Sequence, residues 1–151
     1  MASIALSTID SAIGSRIASQ LTGFKESASI SSLLRTPSSV ADKAFVISIG
    51  DASSFDGSPR GLRQNEVSRI GASLQVEFAR KLNKNQTTTR RTAYDNAESI
   101  IKALLAKSWT SSIGSGGARF VFQNYRFEFS RDGQAIIGVV NFQISFEFSL
   151  S

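Results

Sequence analysis

The chain has 151 residues, 41 % of them apolar and 19 % charged, a balance typical of a globular domain rather than a disordered segment. It contains no cysteine and no histidine, which excludes disulfides, zinc sites built from these residues, and acid–base catalysis by histidine. The net charge of +5 arises in the middle of the chain, where five cations follow one another without an intervening acid: Arg80, Lys81, Lys84, Arg90 and Arg91.

The first half of the chain predicts one helix and one buried strand. Apolar side chains recur every four residues from Ile9 to Leu21, which predicts an amphipathic helix. A Ser-rich connector follows over residues 27–39, and the apolar run from Ala44 to Ile49 predicts a buried strand. The polar, Gly-containing stretch from Asp51 to Asn65 then predicts a long loop.

The middle of the chain predicts a half-buried strand, a basic loop and a second helix. Apolar and polar residues alternate from Val67 to Phe78, which indicates a strand with one face in the core. The segment from Asn83 to Arg91 predicts a basic loop. Apolar residues at helical spacing from Tyr94 to Leu105 predict a helix with Thr92 as its N-cap and with Tyr94 on its core side.

The last third predicts a long hairpin rich in phenylalanine. After a flexible connection from Ser111 to Gly117, aromatic and polar residues alternate from Phe120 to Phe129, and a change of phase near Asn124 indicates a bulge. An Asp-Gly turn follows at residues 131–134. Strict alternation from Val140 to Leu150 predicts the closing strand.

These elements predict a single α+β structural domain over residues 1–151. We expect a two-layer sandwich, with a mostly antiparallel four-stranded sheet and two helices packed on one face. The other face of the sheet is expected to be mostly polar. Its expected members are Gln75, Glu77, Arg126, Gln143 and Glu147. The chain has no run of 18 apolar residues, so we expect no membrane span and no membrane partner.

Candidate catalytic groups are few. Glu77, Glu128 and Glu147 fall on the polar sides of strands and could meet across the sheet, but cross-strand pairing with Arg69 and Arg126 explains them better than acid–base chemistry. We therefore expect no enzyme activity, no catalytic residue, no cofactor and no metal site.

Two interpretations of the basic loop remain open. Its cations could contact nucleic-acid phosphates without regard to sequence, or they could dock an acidic protein neighbour. Tyr94 is the only aromatic residue nearby and is expected in the helix core, which leaves no stacking platform for bases. The sequence therefore favours a solvated loop, or one that docks an acidic protein neighbour, over a nucleic-acid site.

The order of elements resembles that of the tail terminator (tail completion) proteins and related minor tail proteins of tailed bacteriophages. The resemblance covers the whole chain and depends on pattern rather than on a motif. It rests on the helix Ile9 to Leu21, the strand Phe45 to Gly50, the strand Ile70 to Phe78, the helix Tyr94 to Leu105 and the aromatic strands from Phe120 to Leu150.

The resemblance implies a virion protein, synthesised in the host cytoplasm, at the head-proximal end of the tail. Such proteins form a homo-oligomeric ring, usually a hexamer, that stops polymerisation of the tail tube. The implied partners are the tail tube protein and the head–tail connector proteins, with passing contact with DNA. Two alternatives remain: a head-completion or neck protein of the virion, and a small nucleic-acid-binding protein that uses residues 80–91.

The two polar loops are the candidate interface, because loops and sheet edges are where a small domain can contact partners. The candidate residues are Asp51, Phe55, Asp56, Arg60, Arg63, Lys81, Lys84, Arg90 and Arg91.

Overall fold

A computed structural model describes residues 6–27, 42–54, 67–82, 86–113, 117–129 and 133–149. The helices are α1 (Leu6–Gln20), α2 (Gln86–Leu105) and α3 (Lys107–Thr110). The strands are β1 (Lys25–Glu26), β2 (Ala44–Ser54), β3 (Val67–Lys81), β4 (Ala118–Phe129) and β5 (Ala135–Ser149).

The five strands form one mixed sheet in the order β1-β2-β3-β5-β4. Strand β1 runs parallel to β2, and the other three pairings are antiparallel. The predicted α+β class is confirmed, but the prediction of four strands and two helices was wrong. Strand β1 has two residues and α3 has four, and elements this short carry no measurable hydrophobic period.

One face of the sheet packs on the two long helices and forms the main core. The predicted helical stripe of α1 is confirmed, since its three isoleucines are fully buried. Four phenylalanines of the sheet are also fully buried, namely Phe45, Phe78, Phe142 and Phe146. The helices are tied together by Arg16, whose Nε donates a hydrogen bond to the carbonyl oxygen of Ala103 at 3.1 Å.

The predicted bulge in β4 is confirmed. Phe122 pairs with Phe142 of β5 and Asn124 pairs with the next residue, Asn141, so Gln123 is the extra residue. The bulge restores the alternation of β4, so that Tyr125 shares the helix face with Phe122.

The face away from the helices is less polar than predicted. Ala79, Ile137 and Val139 lie on it, are at most 3 % exposed, and form a second apolar cluster. The run from Ala135 to Val140 contains only apolar residues and glycine, which is the pattern of a strand buried on both faces.

Helix α2 begins six residues before the predicted N-cap. The hydroxyl of Thr92 donates a hydrogen bond to the carbonyl oxygen of Thr88 at 2.9 Å, so Thr92 lies inside the helix. The extra turns contain threonines and arginines, of which only Thr89 is buried. Without an apolar period these residues gave no helical signal, and threonine has a low helix propensity.

Candidate assembly interface

The structure places four of the nine predicted interface residues. Asp51 lies in β2, Lys81 is the last residue of β3, and Arg90 and Arg91 lie on α2 rather than in a loop. Lys81, Arg90 and Arg91 are exposed. The other five lie outside the described residues: Phe55, Asp56, Arg60, Arg63 and Lys84.

The two predicted surfaces lie at opposite ends of the sheet. Phe45 near the start of β2 pairs with Phe78 near the end of β3, whereas Gly50 pairs with Ser73. Asp51 is therefore near one end of the strands and Lys81 near the other. Asp51 and the three placed cations do not form one contact surface.

The basic segment contains a cation that is already paired. Arg80 donates from Nε to the Asp42 carboxylate at 3.0 Å and from Nη1 to the Asn96 side chain at 2.6 Å. The backbone N–H of Lys81 donates to the same Asp42 oxygen at 2.9 Å. Arg80 therefore fixes the end of β3 against α2, while Lys81, Arg90 and Arg91 carry the exposed charge among the described residues of the segment.

An aromatic ridge, defined as Tyr94, Tyr125, Phe127 and Phe129, runs along the edge strand β4. The ring of Phe127 lies 4.8 Å from that of Tyr94 and 5.7 Å from that of Tyr125. Tyr94 is 42 % exposed, Tyr125 47 % and Phe129 63 %. The prediction that Tyr94 lies in the helix core was wrong, because its helix flank faces an outermost strand.

The ridge was missed because sequence does not show which strand is outermost. Alternation placed Tyr125 and Phe129 on the helix face correctly. However, β5 inserts between β3 and β4, and this leaves β4 with a neighbour on one side only among the described strands. Large aromatic side chains at such an edge are partly exposed and available to a partner.

A groove lies at the opposite edge of the sheet, between α1 and β2. Its lining includes Leu6 and Asp10 from α1 and Ile47 and Ile49 from β2, and it encloses about 460 Å³. Strand β1 pairs only with Ala44 and Phe45 at the start of β2. From Val46 onward, the outer side of β2 therefore has no strand neighbour among the described residues.

The region beside this groove carries negative charge. The Glu26 carboxylate lies against Gly14, where a Cβ would be only 2.5 Å from Oε2, so the glycine in α1 provides its space. Loss of surrounding water raises the pKa of Glu26, and repulsion from Asp10 raises it further. An incoming cation would relieve this repulsion.

The face of the sheet opposite the helices holds a polar cavity of about 300 Å³ that spans all four long strands. Its polar side chains are hydroxyls and amides, including Gln75, Asn124 and Asn141, and no ionisable side chain lines it. The amide of Asn141 donates to the Asn124 oxygen at 2.7 Å. This set can hydrogen-bond a ligand but offers no general acid or base.

The three strand glutamates do not meet. In the sheet register Glu77 lies opposite Val139, Glu128 opposite Ile137, and Glu147 opposite Arg69. The Glu128 carboxylate accepts from Arg126 Nε at 3.0 Å, so this pair forms along one strand rather than across two. Within the described part of the chain no cluster of acidic side chains is arranged to hold a metal ion.

No protein-family model matches the chain, and a search of curated proteins found no match. In the parts of the chain that the structure describes, no helix combines the length and hydropathy needed to cross a membrane.

Proposed function

We propose that the protein is a structural ring subunit of a phage tail terminator type, which caps the tail tube and joins it to the head connector. The observation that carries this proposal is a pair of dissimilar sheet edges that have no outer strand neighbour among the described residues. The aromatic ridge lies along one edge, and the α1–β2 groove lies at the other.

Two different edges on the same domain favour a ring over a two-fold dimer. A two-fold dimer uses the same patch on both copies, whereas a head-to-tail contact uses one patch from each and can close by rotation. In a head-to-tail array each copy uses both edges, and a closed ring leaves no edge exposed to further strand addition.

The partners follow from the resemblance of the chain to tail terminator proteins. The ends of the ring would contact the tail tube protein and the connector. Asp51 lies toward one end of the sheet and Lys81 toward the other, which supports contacts above and below such a ring. A head-completion or neck protein would use the same ring and differ only in its neighbours.

A specific observation supports nucleic-acid binding as the second candidate function. Arg90 and Arg91 are exposed one helical turn before Tyr94, which is itself exposed. Cations beside an accessible aromatic ring can bind single-stranded nucleic acid by phosphate contact and base stacking. The sequence had suggested that no stacking platform was present.

The mass of the purified chain in solution tests the first proposal against the second. Light scattering at low and moderate salt, with and without DNA, should give one discrete oligomer whose mass does not change when DNA is added. A monomer that binds DNA and releases it as salt rises would overturn the ring and support nucleic-acid binding.

A further inference from the structure

We infer that the aromatic ridge of one copy docks in the α1–β2 groove of a second copy, with β4 adding to β2 as an antiparallel strand. This inference rests on the proposed ring and specifies its subunit contact. The occupant of each surface is therefore another copy of this chain.

The strand directions permit this contact. Strands β2 and β3, β3 and β5, and β5 and β4 are all antiparallel, so β4 runs opposite to β2 within one copy. A second copy placed beside β4 in the same orientation then brings its β2 antiparallel to β4. The sheet continues from copy to copy, and the helices of all copies stay on one side.

The side-chain faces also match. Tyr125 lies on the helix face opposite Val140, and Ile47 lies on the same face opposite Val76. Directly opposed residues in an antiparallel pair share a face. Placing Tyr125 opposite Ile47 of the second copy therefore keeps both helix layers aligned and directs Tyr125 into the groove lined by Ile47.

Strand β1 limits how far the two copies can overlap. It already occupies the edge of β2 at Ala44 and Phe45. In the register with Tyr125 opposite Ile47, the residues of β4 up to Arg126 can pair with β2 from Val46 onward. Phe129 would then lie beside β1 rather than beside β2.

Charge complementarity favours a second copy over other occupants. The groove side carries Asp10 and, next to it, Glu26. The ridge side carries Arg90 and Arg91, both exposed and one turn from Tyr94. Opposite charges on the two edges attract a head-to-tail neighbour, and like charges oppose pairing of two identical edges.

Disulfide trapping tests the contact directly, because the chain contains no cysteine. In the inferred register Ser48 of one copy lies opposite Asn124 of the next, and both residues are on the sheet face opposite the helices. Cα atoms of opposed residues in an antiparallel pair are about 4.5–5.5 Å apart, within the range that a disulfide spans. The variants are Ser48→Cys and Asn124→Cys, each checked by circular dichroism for native folding.

An equal mixture of the two variants should form a covalent dimer on oxidation, while each variant alone should not. A cross-link in Asn124→Cys alone would indicate two β4 edges paired by a two-fold axis and would overturn the inference. The control is Glu98→Cys on the exposed side of α2, which should not cross-link to Ser48→Cys. If the mixture forms no cross-link while the wild type is oligomeric, the inferred contact is wrong but the proposed ring is not contradicted.

A charge placed on the ridge gives an independent test. Tyr125→Glu should weaken the subunit contact about thirtyfold, the loss expected for a central interface aromatic. Ser99→Glu is the control, because Ser99 is exposed on α2 beside Gln20 of α1 and lies away from both edges of the sheet. Equal loss of the oligomer in both variants would overturn docking of the ridge. A monomeric wild type would overturn both the contact and the proposed ring.

Discussion

Replacement of Gly138 by alanine should destabilise the protein through a single aromatic ring. Gly138 lies opposite Phe78 in the sheet, and the Phe78 ring lies over the glycine where a Cβ would stand. Phe78 is fully buried between Phe24 and Phe127, whose ring centroids are 6.2 and 6.4 Å away. The ring therefore cannot turn aside without moving its neighbours.

The expected cost is the balance of two effects. Inserting a methyl group into a packed core costs about 1–3 kcal/mol. Replacing a glycine within a strand stabilises the folded state by about 0.5–1 kcal/mol, because it lowers the conformational entropy of the unfolded chain. A net loss of about 1.5 kcal/mol should lower the melting temperature by about 3–6 °C for a chain of this length.

Urea unfolding followed by circular dichroism, and by the fluorescence of the single tryptophan, measures this loss. Gly50→Ala is the matched control, since a Cβ on that strand glycine would meet nothing within 4 Å. In the double variant with Gly138→Ala and Phe78→Leu, the loss of stability should be about 1 kcal/mol smaller than the sum of the two single losses. A Gly138→Ala variant as stable as Gly50→Ala would refute the argument. Because Phe127 joins Phe78 to the aromatic ridge, the same variant should also weaken the proposed subunit contact.

Two further predictions concern polar contacts. The raised pKa of Glu26 means that this carboxyl binds its proton more tightly in the folded state than in the unfolded state. The protein therefore loses stability as the pH rises from 4.5, the ordinary pKa, through the raised pKa. Glu26→Gln should therefore be more stable than wild type at neutral pH and equal to it in acid below 4.5; equal urea midpoints at both pH values would contradict this. Asp42→Ala should cost about 1–2 kcal/mol, because Arg80 and the Lys81 N–H lose a charged acceptor. Asp42→Asn keeps an acceptor oxygen and should lose less stability than Asp42→Ala. Asp95 is exposed, so Asp95→Ala should change the urea midpoint little. A loss of stability in Asp95→Ala as large as in Asp42→Ala would argue against a specific contact.

The sequence predicted the fold where a long element had a consistent period. The isoleucine stripe of α1 and the alternation of β5 each repeat over many residues. Both elements are present, but β5 begins at Ala135, five residues before its predicted start at Val140. The phase change near Asn124 was equally informative, since one extra residue shifts every later side chain to the other face. The early start of α2 was not predictable in this way, because Thr87, Thr88 and Arg90 are all exposed.

The candidate site was harder to predict because it depends on tertiary position. Charge alone assigned Arg80 to the basic segment, yet its partner Asp42 is 38 positions earlier and is brought close by the sheet. Aromatic spacing alone assigned Tyr94 to the core, yet its flank of α2 lies over an outermost strand. Strand order determines both outcomes, and a local period contains no information on strand order.

The inferred contact also determines which surface faces the centre of a ring. Four strands at about 4.8 Å span about 19 Å, and two helices of about 10 Å each span about 20 Å. In one copy the sheet layer and the helix layer are therefore about equally wide. In a closed ring the helices fit without crowding only if they lie outside the sheet, where the circumference is longer. Six copies would then contribute 24 strands, a circumference of about 115 Å and a backbone diameter of about 37 Å. Side chains extending about 5 Å inward leave an opening of about 27 Å. The face away from the helices would line it, and that face carries the amides of Asn124 and Asn141 together with side chains of both charges, Arg119 and Arg126 against Glu77 and Glu128. Because these opposite charges balance, such an opening would attract DNA phosphates only weakly.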